Sequence, residues 1–204
     1  MQYGICNETF GNWPLKRICE FAADAGYTGL EIAPFTLSDN PHELSSNQRD
    51  ELRRTIAQAG LECIGLHWLL AKTEGLHVAS PDADTRSRTI SYLSDLARLC
   101  RDLGGKTLVF GSPQQRSLMA DVTKQNAHSF LQEVFGALIP VLEETDTVLA
   151  LEPLAPIETD VLTTADETRR LIDLIGSPHI RLHLDVKAMA TEEQSIPEII
   201  HASA

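Results

Sequence analysis

Val148-Leu149-Ala150-Leu151-Glu152 and Arg181-Leu182-His183-Leu184-Asp185 are short apolar runs that each end in a carboxylate, 33 residues apart. A helix-like stretch lies between them. That period is the spacing of consecutive β/α units in a parallel barrel, whose chemistry gathers at the carboxyl ends of the strands. Glu152 and Asp185 are therefore expected side by side at one rim. Two carboxylates that close repel, and one takes up a proton at neutral pH unless a cation lies between them. A divalent metal is the simplest remedy.

Working outward, period 2 in short runs and period 3.6 in longer ones predict six strand-then-helix units. The strands are expected at 3–9, 27–34, 61–68, 106–111, 147–153 and 179–186, and the helices at 14–25, 45–59, 83–103, 124–145, 164–175 and 195–202. Glycines at 26, 60, 104–105 and 176 stand where helices should stop. Pro14 opens the first helix, and Ser45 and Asp82 are N-cap residues. With no low-complexity linker or shift in composition, residues 1–204 read as one domain.

Strict alternation leaves an open doubly wound sheet or a closed (β/α)8 barrel. Leu182, Leu184 and Val186 alternate with Arg181, His183 and Asp185 in the last run. Ile64, Leu66 and Trp68 alternate with Cys63, Gly65 and His67 in the third, and Leu30 and Ile32 with Glu31 and Ala33 in the second. One apolar face and one of small and polar residues suit a barrel wall better than a sheet buried on both sides. No G-x-G-x-x-G follows the first strand, which weakens a dinucleotide reading. The expected fold is a TIM-type (β/α)8 barrel of which this chain supplies about six units, with roughly 60–70 residues of barrel to come beyond Ala204.

Composition narrows the function. Of 204 residues, 43% are hydrophobic, enough for a packed core, and none of the apolar runs is long enough to cross a membrane. The amino terminus lacks a secretory segment, so a cytoplasmic location is expected. Cys6, Cys19, Cys63 and Cys100 form no C-x-x-C pair and read as reduced, mostly buried thiols. A net charge of −12 argues against a nucleic-acid partner. Small neutral substrates, or anionic ones met by a local basic patch, remain, and self-association as a homo-oligomer is left open.

Leu149-Ala150-Leu151-Glu152-Pro153-Leu154, with Ile157-Glu158-Thr159 and Leu162-Thr163-Thr164 after it, resembles the fifth-strand signature of the sugar phosphate isomerase/epimerase superfamily, the xylose-isomerase-like barrels. Gly29-Leu30-Glu31, Gly65-Leu66-His67-Trp68, Val109-Phe110-Gly111-Ser112-Pro113 and Leu182-His183-Leu184-Asp185 resemble the same superfamily along the whole chain. The resemblance implies a divalent metal (manganese, magnesium, cobalt or zinc) held by Glu152, Asp185 and a His and a Glu from two further strands. It also implies that Glu152 is the catalytic acid/base and that Glu158 contacts substrate. Members that epimerise ketoses carry a substrate-binding His three residues after the sixth-strand aspartate. This chain has Ala188 there, which counts against C3 epimerisation of a keto-sugar.

Isomerising or epimerising a sugar removes a proton from a carbon beside a carbonyl and returns it elsewhere through an enediolate, whose charge a metal neutralises. A dehydratase of the inosose or dehydroshikimate type would expel water from the same scaffold, and a non-catalytic barrel is the remaining alternative. Endonuclease IV-type cleavage needs a His-rich zinc cluster that Gly111, Ala188 and the acidic charge do not favour. His67 is read as a substrate contact or proton carrier, or as a hydrogen-bonded barrel residue. His183 is read as orienting Asp185. Glu31, deep in its strand, needs a partner, Arg181 or His183. The Gly111–Arg116 loop offers backbone N–H groups and the Arg116 guanidinium to an anionic group, the plain alternative being a solvated arginine. Lys187 is placed to swing toward the mouth. Trp68 and Phe10 shield Glu152 from water, or simply pack. His42, His77, His128, His179 and His201 are assigned nothing.

Overall fold

The computed structural model describes residues 2–203. Six short strands, β1 (Gly4–Cys6), β2 (Gly29–Ile32), β3 (Glu62–His67), β4 (Thr107–Phe110), β5 (Val148–Leu151) and β6 (Ile180–Leu182), form one parallel sheet in the order β1-β2-β3-β4-β5-β6. The main helices are α1 (Leu15–Asp24), α2 (Ser46–Gln58), α3 (Ala83–Leu103), α4 (Lys124–Ala137), α5 (Ile139–Thr145), α6 (Ala165–Ile175), α7 (Val186–Met189) and α8 (Ile196–Ser203). A doubly wound sheet reverses its strand order at a switch point. This one never does, and α1 packs on α2, α2 on α3, α3 on α4 and α4 on α6. That is the single winding of a barrel wall, six units of it.

The ends of the helices follow the local chemistry of the sequence. Ser45 and Gln48 form a reciprocal capping box at α2, and the Asp82 carboxylate accepts from Thr85 N at 2.9 Å to cap α3. Gly104 and Gly176 end α3 and α6 in the left-handed region, at φ 90° and 70°. Pro14 stands one residue earlier than expected, as the extended N-cap of α1. The expected 124–145 helix is two: Pro140 has no N–H, its ring opposes the carbonyl four residues back, and the chain restarts at Leu138 as α5.

Leu30, Ile32, Leu66, Leu108, Phe110, Leu149, Leu151 and Ile180 pack on the helices in one continuous core. Ala165, Met189 and Ile199 make a smaller cluster with Leu182 and Leu184. Two details depart from strict alternation. A register shift in the β2–β3 pairing pushes Ile64 off the helix-facing row and across Gly4 and Gly29, where a Cβ would meet its side chain at 2.2 and 2.6 Å. The last strand ends at Leu182 rather than 186, and exposed Val186 starts α7. The cysteines are unpaired, Cys19 and Cys100 buried, Cys6 and Cys63 half-buried. Among the described residues no helix is long and apolar enough to cross a membrane.

Candidate active site

The carboxyl ends of β3, β4, β5 and β6 open into a cleft of about 570 Å³. Glu152 follows β5 directly, and its N–H donates to Phe110 O at 3.1 Å, continuing the ladder one residue past the strand. Only 6% of it is exposed. Asp185 enters the same cleft from the turn after β6 as the N-cap of α7, one carboxylate oxygen accepting from Ala188 N at 2.7 Å. Room for Glu152 comes from Gly111 at the end of β4, where a Cβ would lie 1.7 Å from Glu152 Oε2.

Charge at this rim is unbalanced. Burial, then the Asp185 carboxylate, push the Glu152 pKa up to about 7, with Arg116 opposing and Glu31 and Glu158 adding smaller repulsions. Burial pushes His67 down to about 4, helped by His183 and opposed by Asp185. Burial also lowers His183, against the pull of Asp185. Both imidazoles are therefore neutral near pH 7. The 3.8 Å approach of His183 Nε2 to Glu152 Oε1 and the 3.6 Å approach of His67 Nδ1 to Glu31 Oε2 are polar contacts, not ion pairs.

His67, Glu158, His183 and Lys187 all line the cleft. Lys187 Nζ donates to Glu158 Oε1 at 2.8 Å, and Glu158 also accepts from Ala155 N at 3.3 Å. Three expectations need correcting. Arg116 does not face an anionic ligand: it is 0% exposed behind the cleft, with Nη1 donating to Glu152 O at 2.7 Å and Nε and Nη2 without partners. Its loop still lines the cleft through Gly111–Gln115, and Ser112 Oγ accepts from Leu70 N at 3.1 Å, holding the β3 and β4 loops together. Glu31 lies beside His67, not Arg181 or His183. Phe10 packs on Trp13 and Phe21, each about 5.6 Å away by ring centroids, and leaves the shielding position to Trp68, which lines the cleft and is 44% exposed. Sequence reasoning missed the space left by Gly111 and the contribution of Lys72 to the cleft wall. Gly111 was visible as a small residue after an apolar run, but only the fold shows what fills its place.

Two hard oxygen donors facing one cleft, one with its proton affinity raised by the other, are what a divalent cation would relieve, so Glu152 and Asp185 fit such an ion. Among the described residues no group of three or more His, Cys, Asp or Glu side chains converges as a metal site.

A singly wound β/α wall with carboxylates gathered at the carboxyl ends of its strands defines a protein of the parallel β/α-barrel class. The chain belongs to the xylose isomerase-like TIM barrel family, whose model matches residues 19–202. It is 26% identical over 210 residues to a D-psicose 3-epimerase of Enterocloster bolteae, covering 98% of this chain and 66% of that protein. It is also 26% identical over 187 residues to an L-ribulose 3-epimerase of Mesorhizobium japonicum, covering 78% and 63%. The chain thus spans just under two thirds of the length of these curated relatives. Among solved structures, a D-psicose 3-epimerase crystallised with D-fructose superposes with a TM-score of 0.86 at 18% identity, over 100% of this chain and 70% of that one. A 3-keto-D-glucoside 4-epimerase from E. coli gives 0.83 at 18%, over 100% and 75%.

Proposed function

We propose that this chain is a divalent-metal-dependent sugar epimerase or isomerase that moves a proton on a carbon beside a carbonyl. The observation that carries the reading is the convergence of Glu152 and Asp185 on one cleft. Membership of the family and the sugar epimerases among its relatives support it.

Glu152 and Asp185 would hold the cation, with its remaining ligands supplied by groups outside this set. When bound, such an ion supplies positive charge beside the oxygens on which negative charge develops as the carbon loses its proton. Glu152 removes the proton and returns it. Its burial keeps bulk water away from the proton in transit. His67, neutral, and the Glu158–Lys187 pair present donors and acceptors to sugar hydroxyls on either side. Trp68 adds an aromatic ring to the cleft wall. Ala188 offers a backbone N–H to Asp185 and no imidazole to the substrate.

Manganese titration followed by calorimetry and thermal melting tests this. The full chain is expected to bind the ion and melt several degrees higher with it, and Asp185→Asn to lose at least tenfold in affinity. Binding unchanged in that variant would remove the proposal. Trials with free ketoses then distinguish an epimer from a product that has lost water.

A further inference from the structure

A second cavity, about 550 Å³ in volume, lies beside the cleft. It opens between the loop after β2, the loop after β3 and the first half of α3. The two cavities share Ala71 and Lys72 as a common wall. Nothing in the chemistry above uses it.

Aromatic rings run from one cavity to the other. His67 stacks on Trp68 in the cleft at 6.2 Å between ring centroids. Trp68 meets Phe35, which lines the second cavity, at 6.3 Å. On the far wall His42 and Tyr92 meet edge to face at 4.9 Å, and His42 Nδ1 is buried with no hydrogen-bond partner. The dividing wall is held in an unusual shape. Trp68 and Lys72, neither of them glycine, both sit in the left-handed region, at φ 57° and 60°. Such backbone persists where the surroundings over-determine it, and it clusters at ligand clamps.

The polar lining selects among occupants. Lys72 lays its ammonium over the Phe35 ring at 4.3 Å and, among the described residues, has no carboxylate within 4.0 Å. Arg88 donates to Thr85 Oγ1 at 2.9 Å and to a backbone carbonyl, not to an acid. The same lining holds three acids, Asp39, Glu74 and Asp95, of which Asp95 is already paired with Arg98 at 3.0 Å, leaving two against the two cations. A phosphate would be drawn by the cations and repelled by the acids. A hydroxyl donates and accepts at once, so it can pair with both kinds. Flat rings with interspersed donors and acceptors and balanced charge suit an uncharged polyhydroxylated ring, whose C–H face lies on the aromatics.

We propose that this cavity is a subsite for a second sugar ring, so that the substrate is a glycosylated ketose and not a free monosaccharide. The inference rests on the sugar-epimerase reading of the cleft. The reacting unit lies by Glu152 and Asp185, and the second ring lies past Lys72, between Phe35 and Tyr92.

The test compares binding of D-fructose and isomaltulose, a 6-O-glucosylated fructose, to the manganese-loaded full chain by calorimetry. Isomaltulose is expected to bind at least tenfold more tightly. Tyr92→Ala and the exposed-site variant Asp39→Ala are each expected to lose most of that advantage while changing fructose affinity less than twofold. Asp39 is solvent-facing, so its variant reports on the subsite even where removing the half-buried Tyr92 ring weakens folding. Fructose bound with isomaltulose no tighter, or both sugars weakened equally by Asp39→Ala, would overturn the subsite and leave the cleft reading standing. Neither sugar bound would overturn both.

Discussion

Gly111 has no side chain because Glu152 occupies the space one would fill. Gly111→Ala forces the carboxylate off its position, since a methyl cannot share 1.7 Å with an oxygen. The backbone there is not in a glycine-only conformation, so the strain is local. We expect a loss of about 1–3 kcal/mol in stability, typical of overpacking, together with a loss of manganese affinity of at least tenfold, read by denaturation and by titration. Manganese affinity unchanged in Gly111→Ala would mean that Glu152 is not where the ion sits. Residue types alone pointed to Glu152 and Asp185, because a carboxylate closing an apolar run is rare and needs a reason. They misplaced Arg116 and the partner of Glu31. Which of several polar residues turns into a cavity, and which turns behind it, depends on loop paths that a linear pattern does not contain.

At the scale of elements, α4 and α6 are tied by Glu167. It accepts from His128 Nε2 at 2.7 Å and Lys124 Nζ at 3.0 Å across the helix pair, and from Thr163 N at 3.0 Å at the start of α6. Burial alone would raise its pKa, but the His128 and Thr163 hydrogen bonds and the Lys124 ammonium outweigh burial and hold it well below the usual carboxylate range. A depressed carboxyl stabilises the fold fully above its unfolded pKa, near about 4.3, and that contribution drains away as pH falls below it. Glu167→Gln is therefore expected to cost about 1–3 kcal/mol at pH 7, with the gap to the parent closing as pH falls below about 4. Urea melts at several pH values check this, and a gap independent of pH would show that the tie is not electrostatic. Periodicity placed all six strands and found the caps at Ser45 and Asp82. It merged α4 with α5, although Pro140 marked the break, and it ran the last strand through Asp185. There the side chain captures Ala188 N and turns the chain into α7. Capping competes with strand extension on nearly equal terms, and the local sequence permits both.

Across the whole molecule, 29 acidic side chains outnumber 17 basic ones, and the excess repels itself in the compact state. Raising sodium chloride from about 20 to 300 mM shortens the Debye length from roughly 20 Å to below 6 Å. The melting temperature at pH 8 should therefore rise by a few degrees, and the gain should shrink by pH 4.5 as carboxylates take up protons. A melting temperature that falls with salt at pH 8 would show that screened ion pairs matter more than the net charge. The 33-residue period announced repeated right-handed β/α units, and the small and polar residues on one strand face favoured a barrel wall, but the strand order that never reverses was settled only by the fold. The sequence by itself determined the repeated β/α units, most of the helix-facing apolar positions and the two carboxylates of the cleft, all of which follow from short-range periodicity and spacing. Only the tertiary structure decided that Ile64 leaves its row to cover Gly4 and Gly29, that Arg116 withdraws beneath Glu152, and that a second cavity opens beside Lys72. Those outcomes depend on which surfaces, distant along the chain, come into contact, and packing alone sets that.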